Sequence, residues 1–88
     1  MKEISIEKII EILNSNIENL EMTEKQLEES LLELGMDSIT FIRIIVEIEE
    51  TFECEFPDSK LMLRELDTAQ KIIDVLQEIY EAENALAE

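Results

Sequence analysis

The sequence predicts an all-α domain, a small bundle of three main helices plus a short one. Breakers are nearly absent: 88 residues hold one glycine and one proline, which leaves room for only a few helices and short links. Three stretches space their apolar residues at the helical period. Hydrophobic residues make up 45% of the chain, enough for one modest core. A chain this short buries only about 60–65% of the surface its unfolded form exposes. One domain of modest stability over residues 1–88 is therefore expected, with its core in about 4–80.

The first helix is expected over roughly residues 4–19. Ile6, Ile9, Ile10, Leu13, Ile17 and Leu20 form one apolar stripe, with Glu7, Lys8, Glu11 and Glu18 off it and Ser5 placed as a cap. Residues 20–37 read as a long connection. Glu21 to Gln26 is a polar run in which Thr23 and Gln26 have capping-box spacing, so a turn of helix can form there. Leu27, Leu31, Leu32 and Leu34 are expected to pin this connection to the core. Gly35 is expected to take a backbone conformation that other residues avoid, just before the next helix.

The helix from Ser38 to Phe52 is unusually apolar. At about 100° per residue, Phe41, Ile44, Ile45, Ile48 and Phe52 share one side, and Ile39, Ile42 and Val46 form a second stripe beside them. Thr40, Arg43, Glu47, Glu50 and Thr51 fill the polar arc. The apolar arc spans about 220°, roughly twice what a surface helix needs. Either this helix is nearly surrounded, or one stripe is exposed for a partner. Phe56-Pro57-Asp58 ends the unit, with proline suited to the first turn of a following short helix or turn over 58–64 that carries Leu61, Met62 and Leu63. Asp67 and Thr68 offer a cap for a last helix of roughly 69–82, with the stripe Ile72, Ile73, Leu76, Ile79 and Tyr80. Residues 81–88 are expected to fray.

Charge removes several function classes. Seven basic against 23 acidic residues give a net charge of −16, which cannot displace counterions from nucleic acid and is repelled by anionic membranes. Partners should present basic surface. The single cysteine, Cys54, cannot form an internal disulfide and suits a reducing compartment. The N-terminus lacks the apolar run of a signal peptide, and nothing approaches 18 consecutive apolar residues, so a soluble cytoplasmic monomer is expected.

No histidine is present, which excludes Ser-His and Cys-His nucleophiles. Glu53 and Glu55 flank Cys54 and disfavour its thiolate, so it reads as a small apolar residue. Zinc-type clusters and a calcium loop are absent, so no metal site and no catalytic residues are assigned. Ser38 remains, with two readings. Asp37 or Ser38 can simply cap the helix. Alternatively the serine is esterified, since a helix start favours an anion by about 0.3–1 kcal/mol.

The run Leu34-Gly35-Met36-Asp37-Ser38-Ile39, the helix through Phe52 and then Glu55-Phe56-Pro57-Asp58 resemble the acyl and peptidyl carrier protein family. The match covers about residues 4–80 and includes the acidity and helical layout. Asp-Ser-hydrophobic alone is a weak signal; Gly35, Phe52 and Pro57 at their spacings make it specific. The resemblance implies that Ser38, with Asp37 shaping the site, receives 4'-phosphopantetheine from coenzyme A through a phosphopantetheinyl transferase. The protein would then hold acyl or aminoacyl groups as thioesters and catalyse nothing itself. It also implies a docking role for the second helix, with Met36, Ile39, Ile42, Arg43, Val46 and Glu47 as partner contacts. The partners implied are an activating or loading ligase or adenylation enzyme, and downstream synthase, condensation or tailoring enzymes.

Two departures bear on the pathway. Arg43 stands where fatty-acid carriers usually present a carboxylate, and Cys54 where a glycine often follows the helix-ending phenylalanine. The segment Leu66 to Ile73 is similar to free-standing peptidyl and D-alanyl carriers. The expectation is a stand-alone carrier in specialised-metabolite biosynthesis of the nonribosomal peptide or polyketide type. The alternatives are a fatty-acid or D-alanyl carrier and, from another class, an unmodified acidic helical adaptor.

Self-repulsion among this many carboxylates destabilises the compact state. Added salt or a divalent cation should therefore raise the melting temperature; an unchanged or lower value in thermal melts overturns this.

Overall fold

A computed structural model describes residues 4–86, and within them the chain is all-helical. Helix α1 spans Ile6–Asn16, α2 Ser38–Phe52 and α3 Ala69–Leu86, with single 3-10 turns at Glu24–Gln26 and Asp58–Lys60. Helix α1 packs against both α2 and α3. The core takes Ile9 and Leu13 from α1, Ile44 and Ile48 from α2, and Ile72 and Leu76 from α3, all essentially solvent-free. Among the described residues no charged side chain is buried, and no helix is long and apolar enough to cross a membrane.

Ser5 caps α1 by accepting from the Lys8 N–H at 3.3 Å. The helix ends at Asn16, three residues short of the periodicity limit. Ser15 and Asn16 turn their side chains back onto the carbonyls of Glu11 and Ile12, at 2.8 Å each, which competes with continuation. Ile12, off the expected stripe, is also buried, because a helix between two others needs a wider apolar face.

The connection to α2 is pinned as expected at Leu31, which is fully buried, while Leu27 and Leu34 are half-buried and Leu32 is exposed. The Thr23–Gln26 capping box forms. Met22, placed by its polar neighbours in a surface run, is instead buried. Asn14 holds it there, accepting from the Met22 N–H at 2.9 Å and donating to its carbonyl at 3.3 Å. Two backbone bonds tie the connection to the start of α3: Leu31 N–H to the Asp67 carbonyl at 2.7 Å, and Gln70 N–H to the Leu27 carbonyl at 2.9 Å. Gly35 has φ +111°, as its position before the helix suggested. A Cβ there would only touch Ile17 Cγ2 at 3.5 Å, so the requirement is conformational and not steric crowding.

Beyond α2, the short helix expected after Pro57 is one 3-10 turn, and Pro57 is its N-cap, not its first-turn residue. At the end of α2 the left-handed residue is Glu53, with φ 52°, and Cys54 beside it is half-buried. Helix α3 starts as expected, with Thr68 Oγ1 accepting from Lys71 N–H at 3.1 Å. It runs on to Leu86, past the expected end near 82, over a stretch of good helix formers such as Ala82, Glu83 and Ala85. Residues 87–88 of the expected frayed tail lie outside the described residues. Tyr80 donates its buried hydroxyl to the Phe52 carbonyl at 2.9 Å, tying α3 to the end of α2.

Leu31→Ala should cost about 2–5 kcal/mol in denaturant unfolding. Tyr80→Phe should cost about 1 kcal/mol. A Leu31→Ala loss below that of Tyr80→Phe would contradict the pinning role of the connection.

Candidate functional site

Helix α2 begins at Ser38 because Asp37 takes the cap. Asp37 lies in extended backbone, its Oδ1 accepts from the Thr40 N–H at 2.8 Å, and its carbonyl accepts from the Phe41 N–H at 2.8 Å. Of the two capping residues the sequence allowed, the aspartate does the work. Ser38 is thereby released: it is exposed at the first helical position, and among the described residues its hydroxyl has no hydrogen-bond partner. The Thr40 N–H beside Asp37 holds its carboxyl below the ordinary 3.8, since that bond favours the charged form.

The wide apolar arc of α2 divides in two. Phe41, Ile44, Ile45, Ile48 and Phe52 are buried, whereas Ile39 is 66%, Ile42 61% and Val46 45% exposed. Of the two arrangements the wide arc allowed, the helix is thus not the nearly surrounded one. That segment stands off across an apolar groove of about 320 Å³, lined by Ser38, Phe41, Ile42, Ile45, Val46 and Glu49 on α2 and by Leu61 and Leu63 opposite. The place of Leu61 and Leu63 beside the serine was not legible in the sequence, because it depends on how the chain returns after Pro57.

On the other side of the stripe, Asn16, Ile42, Arg43, Val46, Glu47 and Glu50 line an open, more polar cleft of about 370 Å³. Arg43 and Glu47 are exposed there beside the apolar residues. Met36, expected as a surface contact next to Ser38, is 3% exposed and belongs to the core, so it leaves the candidate docking face. It turns inward because its N–H bonds to the Leu31 carbonyl at 2.9 Å, folding the 31–36 turn onto the core.

A larger cleft of about 680 Å³ lies at the far end of α2, rimmed by Glu49, Glu50, Glu53, Glu55 and Glu83. Among the described residues no His/Cys/Asp/Glu group could hold a metal ion, and the cleft is remote from the serine, so the site is assigned to the start of α2.

The start of α2 fits a phosphoester. The serine oxygen is free and solvent-facing, the helix start favours an anion, and the groove opens directly beside it. Asp37 already holds the Thr40 N–H, and that bond favours its charged form.

A family model described as "Phosphopantetheine attachment site" matches residues 7–76. Among curated proteins the chain is similar to an "Acyl carrier protein homolog" from Mycoplasma genitalium, 42% identical over 55 residues. That alignment covers 62% of this chain and 66% of the relative, so just under two thirds of the relative's length is spanned. No solved structure matches the chain significantly.

A depressed folded pKa contributes stability that is present above the unfolded value and lost as pH falls through the folded one. Asp37 should therefore titrate below 3.8 by NMR. Asp37→Asn should keep the cap at neutral pH, whereas Asp37→Ala should lower the melting temperature. Equal melting of the two variants would remove Asp37 as the cap.

Proposed function

The chain belongs to the phosphopantetheine-attachment family of carrier proteins, and from that premise we propose that Ser38 is the residue that receives the arm. The observation that carries the proposal is the division of labour at the start of α2. Asp37 caps the helix, and the neighbouring hydroxyl is left exposed and unpaired among the described residues. When bound, 4'-phosphopantetheine supplies a terminal thiol that carries acyl or aminoacyl groups as thioesters. Ser38 Oγ forms the new phosphoester bond as the adenosine nucleotide of coenzyme A leaves, and its proton passes to the transferase. Asp37 then orients the start of the helix and repels the phosphoester outward. The chain does no bond-making on the cargo; its work is tethering, which raises the effective concentration of the cargo at each enzyme.

Partner exchange calls for a small, weakly binding surface. Ile39, Ile42 and Val46 provide the apolar part and Arg43 and Glu47 its charged edge. The partners are the phosphopantetheinyl transferase, a loading ligase or adenylation enzyme, and downstream synthase, condensation or tailoring enzymes. The pathway is specialised-metabolite biosynthesis, a reading supported by the cation on the docking helix and the peptidyl-type segment Leu66 to Ile73. The apolar groove beside Ser38 favours a second reading, an acyl chain of fatty-acid synthesis, because its lining suits a hydrocarbon better than an amino acid.

Incubation with coenzyme A and a promiscuous transferase should add one phosphopantetheine to the intact mass, and Ser38→Ala should abolish the gain while leaving the melting curve unchanged. No gain on the wild type, or a gain that survives Ser38→Ala, overturns the assignment. Loading assays on the modified protein with amino acids against fatty acids then separate the two pathways.

A further inference from the structure

Ile42 and Val46 line both the apolar groove and the polar cleft, so they form a ridge between the two. The cleft side of that ridge carries the only cation of α2, Arg43, in a chain of net charge −16. Among the described residues Arg43 makes no ion pair; Lys25 and Arg64 make none either, whereas Lys8, Lys60 and Lys71 each do. The nearest acid in helical register, Glu47, is engaged elsewhere. Asn16 of α1 donates to Glu47 Oε2 at 3.4 Å while also bonding the Ile12 carbonyl, which draws that carboxylate toward α1. The guanidinium is left exposed with its donor fork open, suited to a bidentate carboxylate.

We propose that Arg43 is the specificity-determining contact of the docking face, and that the cognate loading enzyme places a carboxylate against it on the polar side of the Ile42–Val46 ridge. This rests on the carrier reading above and names the partner's chemistry. Apolar side chains meet Ile42 and Val46, an acidic residue meets Arg43, and basic residues face Glu47 and Glu50. A partner offering only basic groups gains attraction from the acidic field and meets like charge at Arg43, so the two classes are distinguished at one position. Asn16 is a positioning residue, acting through Glu47.

The sign of a charge reversal tests this. Wild-type protein carrying the arm is presented to a panel of adenylating ligases spanning fatty acids and aliphatic and aromatic amino acids, and the ligase with the lowest KM is chosen. Arg43→Glu should raise that KM by roughly tenfold or more at low salt with kcat little changed, and Arg43→Lys should fall between, having lost the fork. Asn16→Ala, which frees Glu47 to pair with Arg43, should also raise KM, though less. A partner that docks through basic groups alone predicts the opposite, a lower KM for Arg43→Glu, and that result or an unchanged KM overturns the proposal. Arg43→Glu should keep the wild-type melting curve, so that a raised KM reports docking and not folding. If the wild type gains no phosphopantetheine from a promiscuous transferase, the carrier reading itself fails and takes this proposal with it.

Discussion

The rotation of α2 about its own axis is the constraint on which the rest depends. Eight apolar side chains spread over most of its circumference, and a bundle of three helices can cover only part of it. Phe41, Ile44, Ile45, Ile48 and Phe52 take the covered side against α1 and the core. Ile39, Ile42 and Val46 are then left in solvent by geometry. Full burial of such a side chain is worth about 1.5–3 kcal/mol, so three exposed together forgo a stabilisation comparable with a small domain's net stability. A face that is costly for the fold is most simply understood as a face used for binding, which is the role proposed for it.

The start of the same helix is organised by a smaller interaction with an equally large consequence. One carboxylate oxygen on the Thr40 N–H decides that Asp37 is outside the helix and Ser38 inside it. Were the serine the cap, its hydroxyl would be engaged with the backbone. The position of this cap is secured from a distance: Gly35 turns the chain, Leu31 anchors it in the core, and the paired bonds of Leu31 with Asp67 and of Gln70 with Leu27 lock the connection to α3. The serine is exposed, but the scaffold that presents it reaches across the molecule.

Electrostatics contributes little to holding this scaffold. The ion pairs among the described residues are exposed side chains at 2.9–3.9 Å, each worth about 0–1 kcal/mol, and the acidic excess works against compaction. Burial and backbone hydrogen bonds carry the fold, which leaves the surface charge free to select partners. In that setting Arg43, the one cation of α2, stands out on the face proposed for docking.

The periodicities of 3.6 residues were legible in the sequence because they are local: they placed α1, α2 and α3, divided α2 into its two stripes, and marked Ser5, Thr68, Gly35 and the Thr23–Gln26 box. Boundaries were less legible where polar side chains compete with the backbone, as at Ser15 and Asn16, or where helix formers continue past the core, as in 81–86. Met22, Met36 and Ile12 were misplaced for one reason: each is buried by something distant in the chain or by the packing of a whole helix, and local pattern does not record that. The linear order is enough to read that a serine opens a doubly apolar helix. Which apolar stripe is buried, that Asp37 and not the serine takes the cap, and that Glu47 bonds Asn16 of α1 follow only from the folded chain, because they depend on how the elements pack and on the backbone path into α2.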